Sequence, residues 1–529
     1  VRQRSFYAWG WADEGATQQE IEQLERAVSA RFGIDHFDVT PAPKAEEISI
    51  RKPRLEIPAV LREFTSTEHV DRLFHSYGKT FIGVKTLMDR QCPNPPDAIA
   101  YPRNEEELVA VLDHCSSTGT VAIPFGGGTS VTAAVEPPSD AERAITIDLR
   151  DMNKVLEVDE VSRAARIQAG TFGPDIESQL KPYGLTMRHY MQSFEFSTLG
   201  GWIATRSGGH FATIYTHIDD VVENVRAVSP AGVYESRRIP ASGAGPSPDR
   251  IMIGSEGILG VITEAWVRVH SRPEFRNSAA VRFKDFYTGV DAVRAISQAA
   301  LFPANCRLLE TEEATNSPNA QAQGAILVLG FESGDHTMDA WLKRALEICA
   351  EHGGSWNDEA SRDAEAHRSG TAGEWRKKFI RTPYLSEPLV ARGIMTTTFE
   401  SSITWDRFHD FHSNVMDATR KAIREVTGRD GALTCRFTHI YPDGPAPYFT
   451  MMAVLDKSSM IAQYKEIKSA FLEALVANGG TVTHHHAVGR AHRPWYDRQR
   501  PELFARALRA AKKVFDPSGV LNPGVLIDP

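Results

Sequence analysis

Three consecutive histidines, His484-His485-His486, form the densest cluster of proton-transferring groups in this 529-residue chain. Imidazole titrates near neutrality, so it can donate to an oxyanion and also carry protons. Solvent exposure or structural hydrogen bonding is the alternative for such a triplet. In a strand, neighbouring rings would face opposite ways and could not comfortably share one metal. Among the chain's 18 histidines and 13 tyrosines, Tyr448, within Pro447-Tyr448-Phe449, and the loop residue His189 are of the same proton-trading type, a type that by itself does not single them out. A tyrosine in a strand also serves as packing. A third feature suits anions. The turn Pro124-Phe125-Gly126-Gly127-Gly128-Thr129-Ser130 follows the β-type run Val121 to Ile123, and three residues in a row lack a Cβ. Such a turn can take positive φ and bring bare N–H groups against a pyrophosphate. It is not the G-x-G-x-x-G of a Rossmann unit, because Val131 to Val135 followed by Glu136-Pro137-Pro138 is a poor helix start. An ordinary tight loop would read the same way.

These groups need elements to hold them. Ala98 to Tyr101 reads as a strand, and Asn104-x-x-Glu107 caps a helix leading into the glycine turn. Ala144 to Leu149, Val155 to Val158 and Ala164 to Ala169 read as strands of one mixed sheet. Beyond a helix at Gly173 to Tyr183 come Gln192-Ser193-Phe194-Glu195-Phe196-Ser197-Thr198 and a second small-residue turn, Thr205-Arg206-Ser207-Gly208. A third turn, Gly254-Ser255-Glu256-Gly257-Ile258-Leu259-Gly260-Val261-Ile262, ends in a β-branched strand. Main-chain donors from three such turns can line one groove for a long ligand carrying a pyrophosphate and a flat ring. From Arg272 to Gly480 the pattern is strand–helix–strand–strand–helix, with a looser second pass, which predicts an antiparallel sheet backed by helices.

Length and composition set the bounds. The chain is too long for one core. With 42% hydrophobic and 24% charged residues it has globular composition, and a net charge of -9 argues against nucleic acid as a partner. Five scattered cysteines without a C-x-x-C pair fit a reducing compartment better than a disulfide scaffold or a zinc site. No apolar run is long enough to span a bilayer, and the polar first residues do not read as a signal peptide. With Leu526-Ile527-Asp528-Pro529 in place of a peroxisomal S-K-L, the expected compartment is the cytoplasm. The expected division is an extension and linker at 1–94, a ligand-binding domain at 95–271, a cap at 272–480, and a returning segment at 481–529. Within the extension, a helix with the capping box Thr17-x-x-Glu20 follows the aromatic stretch Phe6 to Trp11, which is too dense for a free tail.

Taken together, the turns resemble those of the flavin-binding family of vanillyl-alcohol oxidase and p-cresol methylhydroxylase. The resemblance is strongest to its alkylglycerone-phosphate synthase branch. It rests on the stretch from Ser193 to Trp202, Gly254 to Glu264, Phe399-Glu400-Ser401-Ser402-x-x-Trp405-Asp406-Arg407, and His484-His485-His486 with Gly489. It implies an α+β fold: a two-subdomain FAD-binding domain of the p-cresol methylhydroxylase type, a cap, and an N-terminal helical extension. It implies FAD contacts from Pro124 to Ser130, Gln192 to Thr198, Thr205 to Gly208, and Glu256 to Ile262. The pyrophosphate turn lacks the histidine often found in covalently flavinylated relatives, so FAD is expected to be non-covalent. The family places His189, Tyr448 and the triplet in the active site. Its reaction exchanges the acyl group of acyl-dihydroxyacetone phosphate for a fatty alcohol, through an adduct at flavin N5, making an ether lipid. A lipid substrate leaves peripheral membrane contact open, and a homodimer is likewise open. One position departs from the pattern: Ser386 stands where the family has an arginine that would bind substrate, and serine offers no guanidinium fork. That departure favours an alternative on the same scaffold, an FAD-dependent oxidase or dehydrogenase of an alcohol or hydroxy acid.

Overall fold

Period-two alternation in the cap strands gives the molecule its central wall. The computed structural model describes residues 2–315, 324–356 and 381–528. Six antiparallel strands pair in the order Phe275–Phe283, Ala325–Ser333, Asn305–Glu310, Ala432–Ile440, Pro445–Val454 and Ile394–Glu400. Cys306, Leu308, Cys435, Phe437, Phe399 and Phe449 point into one core with the helices Phe286–Gln298, Asp339–Glu351, Phe408–Thr427 and Met460–Ala477. Phe399 is stacked between Phe449 at 4.7 Å and Phe471 at 4.1 Å. A ring buried in this way is worth about 3–5 kcal/mol against alanine. Alternate residues on the same strands, including Arg307, Arg436, Thr398 and Tyr448, emerge on the opposite face and line a cavity.

Facing that wall are two smaller sheets. The first contains Thr65–Ser66, Ala98–Ala100, Ala144–Asp148 and Val121–Phe125, with the last three strands parallel. The second is antiparallel, in the order Val155–Asp159, Ala164–Gln168, Val261–Arg268, Val222–Ser229 and Gly232–Glu235. The single mixed sheet expected over residues 144–169 is therefore divided between two. Ala144 to Asp148 are buried throughout, as a parallel strand covered on both faces must be, whereas Leu156 and Glu157 are exposed on an outer strand.

The chain ends tie these layers together. Residues 520–522 run beside Ala122, whose N–H donates to Val520 at 2.9 Å and whose carbonyl accepts from Asn522 at 2.9 Å. The helix Gln18–Phe32 begins with the expected capping box and stops at left-handed Gly33. Its Glu20 and Glu25 hold Arg381 and Arg392, so neither arginine serves the cavity. The preceding aromatic stretch lies across the Gln192–Thr198 loop, with Trp9 and Trp11 at 5.7 and 5.4 Å from Phe196. Among the described residues, no helix is long and apolar enough to cross a membrane.

Candidate active site

The glycine turn comes directly off the parallel strand Val121–Phe125 and forms one wall of a cavity of about 360 Å³. The N–H groups of Gly127, Gly128 and Thr129 donate to no protein group among the described residues. Gly128 takes the left-handed conformation, with φ of 67°, which turns successive N–H groups toward one side. A set of unpaired main-chain donors at a cavity wall is what a pyrophosphate requires, so the residues present fit FAD. Gly126, Ser130, Gln192, Ser193, Ser197, Thr198, Thr205, Ser207 and Gly208 complete this side. At Gly208 a Cβ would come within 2.7 Å of His439 Nε2, so only glycine lets the turn pass so close to the cap.

Other residues expected at the cofactor stand behind this wall. Pro124, Phe125, Phe194, Glu195, Phe196 and Arg206 do not line the cavity, and neither does Glu256 to Ile262. Glu195 accepts from Trp11 Nε1 at 3.0 Å, and Phe196 is the floor for the tryptophans. Pro124 packs against Gly257. The Glu256 carboxylate accepts from the N–H groups of Val488 at 2.9 Å and Gly489 at 2.7 Å, and burial pushes it up to about 7. The third turn thus anchors the segment that follows the histidines.

That segment is organised by Glu400, at the end of the last cap strand. Its carboxylate accepts from the N–H groups of His484, His485 (3.1 Å) and His486 (3.0 Å), and from the Thr483 hydroxyl at 2.7 Å. Burial works against the charge, but His486, His484 and these donors outweigh it and hold the carboxyl below its ordinary value. Residues 484–486 form a bend outside any strand, so the strand geometry considered for the triplet does not apply. His485 and His486 face the cavity beside Tyr448, whose ring stacks on His485 at 5.9 Å. His484 faces a second cavity of about 740 Å³. His189 is buried behind the wall, with Nε2 at 3.0 Å from the Ser207 hydroxyl and its ring against Trp202. It positions a wall residue.

Burial raises Tyr448 above its ordinary value although Arg436 opposes the shift; its hydroxyl donates to Thr398 at 2.9 Å. Among the described residues, four basic side chains border the same cavity, Lys79, Arg307, Arg436 and Lys468, of which Lys79 is lowered by burial to about 7. The Arg436 guanidinium lies 4.2 Å from the Tyr448 ring centre and pairs with Glu313. Arg307 is 2% exposed, and burial lowers it to about 9, so it remains charged at neutral pH. Ser386 begins the short helix Ser386–Ala391 and lines the cavity too. The sequence signal for Arg307 and Arg436 was present: each is a lone charge in an apolar β-type run, Cys306-Arg307-Leu308 and Cys435-Arg436-Phe437.

Buried imidazoles make the fold sensitive to acid. Burial lowers His189 to about 3, His484 to about 4 and His492 to about 3. An unfolded histidine takes up its proton near pH 6.5, so the unfolded state binds more protons below that pH. Stability is therefore undiminished above pH 6.5 and falls as pH drops toward 4. Each histidine kept neutral costs about 1.4 kcal/mol per pH unit in that window. Glu256, raised by burial from 4.5 to about 7, works in the opposite sense over part of this window and offsets one of the three histidines, so thermal midpoints are expected to be lower at pH 4.5 than at pH 6.5 by the remaining balance; a midpoint unchanged down to pH 4.5 would contradict this.

The comparisons with known proteins agree with this geometry. Residues 96–236 match the FAD binding domain family, and residues 272–526 match the C-terminal domain of FAD linked oxidases. The fold and these regions define the class: an FAD-linked enzyme on a p-cresol methylhydroxylase-type scaffold. Within that class the chain is alkyldihydroxyacetonephosphate synthase-like. It is 29% identical over 525 residues to the alkyldihydroxyacetonephosphate synthase of Dictyostelium discoideum, covering 93% of this chain and 84% of that one. Similarity to glycolate oxidase subunit GlcD of Bacillus subtilis is lower, 25% over 465 residues, covering 86% and 92%. A solved alkyldihydroxyacetonephosphate synthase superposes with a TM-score of 0.82 at 24% identity, over 98% of each chain. A substrate-bound p-cresol methylhydroxylase gives 0.68 at 14% identity, over 97% and 98%.

Proposed function

We propose that this chain exchanges the acyl group of an acyl-dihydroxyacetone phosphate for a long-chain alcohol, forming an ether lipid with FAD held non-covalently. The observation that carries the reading is the placement of Arg307 and Arg436 on the cap wall, beside Tyr448, His485 and His486. A phosphate head group there meets the positive charge of Arg307, with Arg436, which also pairs with Glu313, beside it in a site removed from water. The apolar stretch formed by Phe81, Val84, Tyr464 and Phe471 gives a hydrocarbon chain a place to lie. Gly127 to Thr129 would hold the FAD pyrophosphate, and Gln192, Ser193, Thr198, Thr205 and Ser207 would border the rest of the cofactor. When bound, FAD supplies the nucleophilic and redox chemistry of its ring. The chain supplies orientation, charge and protons: Tyr448 and His485 exchange protons with the reacting oxygens, and His486 faces the head group.

The oxidase alternative took its support from Ser386. Cations supplied by two other strands remove that reason, and the oxidase relatives are the more distant ones. A reducing, cytoplasmic setting fits the five free, buried cysteines. Peripheral contact with the bilayer would deliver the lipid, and a homodimer is compatible with this placement.

Two measurements test the proposal. Acid precipitation of the yellow protein is expected to leave all FAD in the supernatant; flavin remaining in the pellet would overturn non-covalent binding. Labelled alcohol should enter lipid anaerobically without net bleaching of the flavin. Stoichiometric bleaching by the alcohol, with no ether product, would restore the oxidase.

A further inference from the structure

Exchange of an acyl group for an alcohol leaves a proton behind. The alcohol O–H bond breaks and a new C–O bond forms. The ester's alkyl C–O bond also breaks, and its carboxylate leaves with the bonding pair. A fatty acid is ionised at neutral pH, so each turnover of the proposed reaction deposits one proton in the buried cavity. No net oxidant or reductant is needed, but the proton needs a way out.

The histidine turn separates that cavity from the second one, and a continuous hydrogen-bonded chain crosses it. His485, on the first cavity, has its Nδ1 at 3.0 Å from Nδ1 of His484. The other nitrogen of His484, Nε2, is 2.8 Å from the Tyr441 hydroxyl. The same hydroxyl is hydrogen-bonded to His217 Nε2. Tyr441, His217 and His484 all border the second cavity, together with Asp219, Asp220 and Arg206. Each imidazole can receive a proton at one nitrogen and release a different one from the other, and a phenol hydroxyl can accept and donate together. Burial keeps His484, His485 and His217 below their ordinary values, so all three rest neutral and the chain is able to accept a proton.

We propose that His485, His484, Tyr441 and His217 form a proton exit path from the reacting alcohol to the second cavity. The path rests on the synthase reading above. The alcohol proton passes to His485. His485 then gives up its Nδ1 proton to His484, which releases its Nε2 proton to the Tyr441 oxygen. Tyr441 in turn passes its hydroxyl proton to His217. Asp219, Asp220 or water in the second cavity takes the proton from there. Tyr441 and His217 are thus relay residues that touch no substrate.

The test uses the FAD-loaded enzyme, acyl-dihydroxyacetone phosphate and labelled hexadecanol. Tyr441→Phe keeps the ring and removes the relaying oxygen. It should lower kcat about 10-fold or more, within the range for a lost proton-transfer group, with little change in KM. Added imidazole, small enough to enter the second cavity, should restore much of that rate, whereas wild-type rate should ignore it. The solvent deuterium isotope effect should be larger in the variant than in the wild type. His217→Asn, farther along the path, should behave the same way and guards against misfolding of the first variant. Wild-type kcat in both variants would overturn the path alone, as would a loss that imidazole does not restore in folded, flavin-loaded protein. Absence of alcohol exchange in the wild type would overturn the synthase reading and the path with it.

Discussion

Glu400→Gln is expected to lower kcat by about 100-fold while leaving FAD binding intact. The carboxylate accepts from three consecutive main-chain N–H groups and one hydroxyl. An amide of the same shape has a single oxygen and turns an NH₂ toward the remaining donors. At least one buried N–H loses its partner, at a cost of about 1–3 kcal/mol. The turn relaxes, and His485 and His486 move relative to Tyr448. A displacement of about 1 Å is enough for a loss of that order. The main-chain donors Gly127 to Thr129, proposed to hold the pyrophosphate, lie in the turn after a different strand and should keep their geometry. Flavin titration and steady-state kinetics of the variant measure the two effects separately. Unchanged kcat, or loss of FAD together with activity, would show that Glu400 does not act through the histidine turn.

Arg307→Met is expected to raise KM for the proposed phosphorylated substrate by about 10- to 100-fold and to change kcat less. A charged hydrogen bond is worth about 1.5–3 kcal/mol, which sets that range. Methionine keeps much of the buried stem volume, so packing on the cap strand survives. Arg307→Lys should recover part of the affinity, because it returns the charge without the fork. Ser386→Arg should add little, since the cavity already holds cations on the opposite wall. Equal KM in Arg307→Met and wild type would remove Arg307 from head-group binding; a large gain in Ser386→Arg would make position 386 the missing cation site.

Much of the scaffold was legible because it depends on local patterns. Alternation at Cys306 to Glu310 and Leu433 to Tyr441, the Thr17 capping box, and the glycines after Val121 each act within a few residues. The division of the small sheets was harder, since Ala144 and Val155 begin similar runs and only burial on one or both faces separates them. At the site, the triplet and Tyr448 were legible as chemical types. Glu400 was visible in a motif without a role, because it acts on a backbone 84 residues away. Glu256 was expected against the cofactor for the same reason in reverse: its turn looks like a cradle, but its carboxylate has a main-chain target 232 residues further on.

Those two carboxylates have a mechanical consequence. Glu400 reaches out of the cap sheet to residues 484–486, and Glu256 reaches out of the opposite half to residues 488 and 489. Six residues of chain are riveted from both sides, so the halves cannot swing apart like jaws without tearing a rivet and scattering the acid–base groups. Access that required the two halves to hinge apart would therefore cost the same contacts that keep the acid–base groups assembled.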